Sequence, residues 1–214
     1  MIKGVIFDLD GVIVSTDEFH YRGWQKLADE EGIYFNRHIN ERLRGVSRME
    51  SLDILLERAT QRYTATQKET MAARKNGYYR ELLQQITPAD ILPGVMPFLE
   101  DLKSHSTAMA IGSSSRNCGT ILDRIGIGHY FGAVVDGNHI KKSKPDPEVF
   151  LLAAKLLNLP ADACVVIEDA EAGVSAALAA DMKVLAVGFA STDPRASMRA
   201  KDLTKISAPA ILAL

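Results

Sequence analysis

Asp8 and Asp10 stand two residues apart, directly after the apolar run Val5 to Phe7, and Gly11 follows them. In an extended segment that spacing points both carboxylates the same way, and the glycine permits a sharp exit. A D-x-D triplet alone is commonly a turn or a solvated loop, so its companions decide its meaning. Ser113 follows the run Ala108 to Ile111, Lys144 closes the loop beyond Val134-Val135, and Glu168-Asp169 follow Cys164 to Ile167. Carboxylates gathered in one place repel one another and raise their pKa values unless a cation sits among them, and an all-oxygen set suits Mg2+. With Mg2+ present, an ionised Asp8 can attack phosphorus while a protonated Asp10 donates to the departing oxygen. Lys144 and the Ser113 hydroxyl would then hold the equatorial phosphate oxygens. The chemistry expected is phosphoryl transfer through an aspartyl-phosphate.

These residues need a scaffold that delivers them to one place. The four runs already named, with Val184 to Val187, are short and β-rich. Most are separated by helical stretches: Val95 to Lys103, Thr120 to Arg124, Pro147 to Leu157 and Ala172 to Ala180. Strands alternating with helices call for βαβ crossovers, hence a doubly wound, Rossmann-like α/β core around a parallel sheet. Ligands of such sheets bind outside the carboxyl ends of the strands, where Asp8, Ser113, Lys144, Glu168 and Asp169 are expected to converge.

About a hundred strand-free residues separate the first run from the second, too many for one crossover. An inserted all-helical cap domain is expected over 16–87, with the core formed by 1–15 and 88–214. The first cap helix should run from about Asp17 to Glu31, with Phe19, Trp24, Leu27 and Ala28 at helical spacing and Gly32 as its stop. Capping boxes are read at Ser47-x-x-Glu50 and Thr66-x-x-Glu69. The apolar faces that follow are Leu52, Leu55 and Leu56, then Tyr78, Tyr79, Leu82, Leu83 and Ile86.

Composition narrows the function classes. Hydrophobic residues make up 47% and charged residues 24%, as in ordinary globular chains, and the net charge of −2 gives no bulk attraction to nucleic acid or to an anionic membrane. Cys118 and Cys164 lie far apart, outside metal or disulfide spacing, and read as buried thiols. No signal peptide or membrane-spanning run is evident, so the cytoplasm is the expected compartment and a monomer needs no further assumption.

Asp8-Leu9-Asp10-Gly11-Val12, Ser113, Lys144-Pro145 and Glu168-Asp169 resemble the four motifs of the haloacid dehalogenase-like phosphatases and mutases, and the resemblance covers the whole chain. Its β-phosphoglucomutase branch is especially similar. The residues that carry this are His20-x-x-x-Trp24, Arg44-Gly45-Val46-Ser47-Arg48, Arg74-Lys75-Asn76, Ser113 to Asn117, and Ile167 to Gly173. The resemblance implies that Asp8 is the phosphorylated nucleophile and Asp10 the general acid and base. It implies Mg2+ on Asp8, the Asp10 carbonyl, Glu168 and Asp169, and the transferring phosphate on Ser113 and Lys144. Arg48, Ser115, Arg116 and Asn117 would hold the second phosphate of a hexose bisphosphate. Thr16, His20, Trp24, Arg44, Gly45, Val46, Ser47, Lys75 and Asn76 would form the hinge and the cap side of the site. The activity implied is interconversion of β-D-glucose 1-phosphate and glucose 6-phosphate, with a Mg2+-dependent sugar-phosphate phosphatase as the alternative enzyme and a sugar-phosphate sensor as the non-enzymatic one.

Several of these residues have plainer readings. His20 and Trp24, four apart on a helix, commonly mean packing. Lys75 and Arg74 fit a solvated helix face, Gly45 a helix break and Ser47 a simple cap. Arg48 is placed against the helix dipole, which an anion bound at that helix start would offset.

Overall fold

The computed structural model describes all 214 residues. Its core is a six-stranded parallel sheet in the order β3-β2-β1-β4-β5-β6. The strands are β1 (Gly4–Phe7), β2 (Ala108–Gly112), β3 (Ala133–Val135), β4 (Cys164–Glu168), β5 (Lys183–Ala186) and β6 (Met198–Arg199). Between β1 and β2 come α1 (Asp17–Glu31), α2 (Arg37–Glu41), α3 (Arg48–Leu56), α4 (Ala65–Leu82) and α5 (Val95–Ser104). The remaining helices are α6 (Cys118–Ile125), α7 (Glu148–Leu156), α8 (Glu171–Ala179) and α9 (Ala208–Leu212). The doubly wound expectation holds; β6, α2 and α9 are additions that the apolar pattern did not reveal.

Strand periodicity sorts the core into two layers, because successive side chains point to opposite faces. Val5, Phe7, Val165 and Ile167 join the cluster under α5, α6 and α9, while Ile6, Cys164 and Val166 join the one under α7 and α8. Both faces are thereby dry, which is what an all-parallel sheet requires. The register pairs Phe7 with Ile111 and with Ile167, so Asp8 stands level with Gly112 and Glu168 at the carboxyl edge. Strand order reverses beside β1, placing Asp8 at the switch point.

Helices α1 to α4 gather their own apolar cluster around Trp24, Leu27, Phe35, Leu52, Leu55 and Met71. Helix α1 ends on Gly32 in the left-handed conformation, and Ser47 and Glu50 form the expected capping box. The second box is shifted from the expected position: Thr64 and Gln67 cap α4, in place of Thr66 and Glu69. Met71, Ala72, Lys75 and Tyr79 face inward along α4, a helical spacing that either start would preserve. Tyr79, Leu83 and Ile86 join the sheet's apolar cluster, with Leu9 and Val12 to Val14, and not the cap's. The two links between cap and sheet run side by side: Val14 bridges Ile91 in antiparallel fashion, and the Leu92 N–H donates to the Ile13 carbonyl at 2.9 Å. No helix is long and apolar enough to cross a membrane.

Candidate active site

Asp8 follows the end of β1, Glu168 ends β4 and Asp169 follows it, all three buried. One carboxylate oxygen from each lies within 4.8 Å of the others. Their approach depends on two glycines. A Cβ on Gly11 would stand 2.1 Å from an Asp169 oxygen, and one on Gly173 would stand 1.9 Å from a Glu168 oxygen. Neither distance is possible between non-bonded atoms, so both positions leave room for the carboxylates. Glu168 is also held from behind, its Oε2 accepting the N–H groups of Asp169 and Ala170 at 2.9 and 3.0 Å.

Lys144 enters this acidic cluster fully buried. Its Nζ donates to Asp8 Oδ1 at 2.5 Å and to Glu168. Burial lowers the pKa of the ammonium, but the two carboxylates more than offset that and raise it above the usual lysine range. Glu168 is pushed up by burial and drawn back by Lys144. Asp169, with no cation in contact, is pushed up to about 9 by burial first and then by Glu168, Asp8 and Asp10. Three carboxylates with no nitrogen or sulfur ligand among them fit a hard divalent cation, and one lysine leaves the cluster's negative charge incompletely matched. The residues present fit Mg2+.

The loop that carries Lys144 is anchored by Glu148, a residue the sequence pattern did not single out. Its Oε2 accepts the backbone N–H groups of Lys141 and Lys142 at 3.0 and 2.8 Å.

Asp10 turns toward the cap link. Its carboxylate accepts the Thr16 N–H at 2.6 Å and the Thr16 hydroxyl at 2.8 Å, and that hydroxyl accepts from the Tyr79 phenol at 3.0 Å. Burial nevertheless dominates over these hydrogen bonds and holds the Asp10 carboxyl up to about 7, so it carries a proton for part of the time near neutrality. His20 stacks against Tyr79 with ring centroids 4.1 Å apart, and its Nε2 is 3.9 Å from Asp10 Oδ2. Its Nδ1 lies 2.9 Å from Nζ of Lys75, itself buried between the rings of Trp24 and Tyr79. Burial and the neighbouring Lys75 keep the imidazole pKa well below its usual value, hence neutral at pH 7. In the tautomer in which Lys75 donates to Nδ1, the ring proton sits on Nε2, the nitrogen nearer Asp10. Trp24 is therefore both cap core and one wall of the Lys75 pocket.

A second cationic locus lies where cap and core meet. The half-buried Arg48 has a lowered pKa, from burial first and from the nearby Arg116 second. Two cations near enough to disfavour one another's charge are relieved when an anion joins them. Arg116 is positioned by its Nε donating to the Gly137 carbonyl at 3.2 Å, and the Asn117 side-chain amide donates to Asn76 Oδ1 at 3.0 Å across the same junction. Ser113, buried one residue past β2, accepts the Ser115 N–H at 3.2 Å, while Ser115 Oγ accepts the Asn117 N–H at 3.2 Å. Ser47 spends its hydroxyl on the helix cap, and Arg44 turns to Asp17 and Phe189. Arg74 pairs with Glu30 and Glu31 on the cap surface.

The sheet order, Asp8 at its switch point and the acidic cluster beneath the helical insertion define a class. Residues 2–181 match the haloacid dehalogenase-like hydrolase family, and the chain belongs to it. It is accordingly an enzyme of the hydrolase and phosphomutase kind. Among its relatives, a β-phosphoglucomutase of Bacillus subtilis is 46% identical over 87% of this chain and 84% of its own length. The phosphorylated carbohydrates phosphatase of Thermotoga maritima is 30% identical over 99% of this chain and 97% of its own. The crystal structure of a β-phosphoglucomutase from Clostridium difficile superposes with a TM-score of 0.93 at 39% identity, covering 100% of this chain and 96% of that one.

Proposed function

We propose that the chain is a phosphomutase that interconverts β-D-glucose 1-phosphate and glucose 6-phosphate through an aspartyl-phosphate on Asp8 and β-glucose 1,6-bisphosphate. The observation that carries this reading is the second cationic locus at Arg48 and Arg116, beside Ser115 and Asn117. A hydrolase that removes one phosphate needs one anion site; a mutase must hold either phosphate of the bisphosphate while the other faces the nucleophile. Similarity to the B. subtilis mutase supports the same choice.

In this scheme Asp8 attacks the phosphorus of the bisphosphate, the phosphorus–oxygen bond to the sugar breaks, and Asp10 gives the departing oxygen its proton. Return transfer reverses the roles: the sugar hydroxyl loses its proton to Asp10 and takes the phosphoryl group from Asp8. Lys144 and Ser113 hold the phosphoryl oxygens, and Thr16, His20 and Lys75 orient Asp10. Mg2+ would be held by Asp8, Glu168, Asp169 and the Asp10 carbonyl, and when bound it supplies neutralisation of phosphate charge. Residues 16–87 act as the cap that closes over the phosphorylated Asp8 and keeps water from it.

A sugar-phosphate phosphatase is the second reading, favoured by the T. maritima relative over nearly the whole chain. Phosphorus NMR of the enzyme with Mg2+, β-glucose 1-phosphate and a trace of the bisphosphate separates the two. Glucose 6-phosphate with little inorganic phosphate is expected; predominant inorganic phosphate would reject the mutase.

A further inference from the structure

Phe189 is 65% exposed, in the turn Gly188–Ala190 that follows β5. The turn is tied to the acidic cluster, for the Ala190 N–H donates to the Asp169 carbonyl at 2.8 Å. Over the ring lies the Arg44 guanidinium of the cap, its Cζ 3.5 Å from the ring centroid. The same guanidinium forks onto Asp17, with Nη2 2.5 Å from Oδ2 and Nε 3.3 Å from Oδ1. Asp17 opens α1 directly after Thr16, which binds the Asp10 carboxylate. The next cap residue, Gly45, rests against the core as well: a Cβ there would stand 3.0 Å from the Ala170 Cβ. Segment 44–45 is therefore seated on the two loops beside Asp169 by one aromatic platform and one close backbone approach.

We propose that Phe189 is a positioning residue whose ring seats Arg44, and with it the cap, and so sets how much of the phosphorylated Asp8 reaches sugar instead of water. This rests on the mutase reading. Transfer to sugar breaks the Asp8 oxygen–phosphorus bond, makes a sugar oxygen–phosphorus bond and sends the hydroxyl proton to Asp10. Transfer to water breaks the same bond and yields inorganic phosphate and a free carboxylate. The two outcomes differ in the acceptor, and a cap that is seated less of the time admits the smaller acceptor more often. A cation–π contact at a partly exposed site shifts such an equilibrium by about two- to fivefold.

Phe189→Leu keeps an apolar side chain but removes the ring face, and Phe189→Trp keeps the face. In the phosphorus NMR assay, the ratio of inorganic phosphate to glucose 6-phosphate should rise about two- to fivefold in the leucine variant and stay at or below the wild-type value in the tryptophan variant. Amide hydrogen exchange of residues 44–48 with Mg2+ bound should quicken in the leucine variant alone. An unchanged ratio overturns the partition role, and unchanged exchange overturns the seat itself. If the wild type makes inorganic phosphate only, the mutase reading and the partition role fail together, and the exchange comparison still decides the seat.

Discussion

Stripping the divalent cation should make stability fall as pH rises, and restoring Mg2+ should remove the fall. In the metal-free fold the Asp169 carboxyl is held up to about 9, by burial first and by Glu168 and Asp8 next; its ordinary value is 3.8. Between those values the fold keeps a proton that the unfolded chain has released, so this group's contribution is fully present below 3.8 and is lost as pH climbs toward 9. One retained proton is worth about 1.4 kcal/mol per pH unit. From about pH 7, where Asp10 is about half titrated, to about pH 8.5 the loss due to Asp169 amounts to about 2 kcal/mol, or about 4–8 °C in Tm for a chain of this size. Lys75 works in the opposite direction, because burial lowers its pKa and the unfolded chain then binds more protons than the fold. Asp169→Asn leaves Lys75 in place, so the difference between the two proteins isolates the aspartate. Thermal unfolding in EDTA across this window should slope downward more steeply for the wild type than for Asp169→Asn. Mg2+ at about a hundred times its Kd should add about 2.7 kcal/mol to the wild type. Equal slopes for the two proteins in EDTA would refute the account.

Lys75→Met should lower mutase turnover by up to about 100-fold, the scale of a misplaced reacting group, while Tm stays level or rises because a buried amine has been removed; a large drop in Tm would show a structural role instead. Arg48→Ala should cut turnover of hexose phosphates by about 10- to 100-fold, as loss of a charge-assisted phosphate contact does, yet barely change hydrolysis of acetyl phosphate. Equal losses on both substrates would place Arg48 outside the distal site. Glu148→Ala removes two backbone hydrogen bonds from the Lys144 loop and should cost about 1–3 kcal/mol in urea unfolding and weaken phosphate binding, with Glu148→Gln in between because its amide oxygen still accepts.

Groups that sit at strand ends were readable in advance, because an apolar run that stops at Asp8, Ser113 or Glu168 announces both the strand and the edge from which the side chain emerges. The cap was readable as a helical insertion, and Ser47 with Glu50 marked one helix start correctly. The Thr64–Gln67 and Thr66–Glu69 pairs fit the same local capping pattern, so the pattern alone left the start of α4 open by two residues, and the structure has it after Thr64. Strand β6 is two residues long and its Met198–Arg199 pair carries no alternation to detect. Tyr79 looked like one more apolar contact; its hydroxyl matters because folding brings Thr16, distant in sequence, to within 3.0 Å. An exposed phenylalanine such as Phe189 leaves no periodic trace, and its meaning comes only from the arginine above it.

The joint formed where Val14 meets Ile91 and Leu92 meets Ile13 has an architectural consequence. The chain departs for its long excursion and comes back at neighbouring points, so the excursion is a closed loop whose ends already touch. Closure of such a loop becomes costlier by only about 0.6 kcal/mol for each doubling of its length. Insertions of quite different length are therefore accommodated at this doorway at little closure cost, provided the contacts of Tyr79, Leu83 and Ile86 with the sheet's cluster are kept. The length of the excursion is thereby free to vary at this joint, while Thr16 and Tyr79, which it sends toward Asp10, tie its inner face to the core.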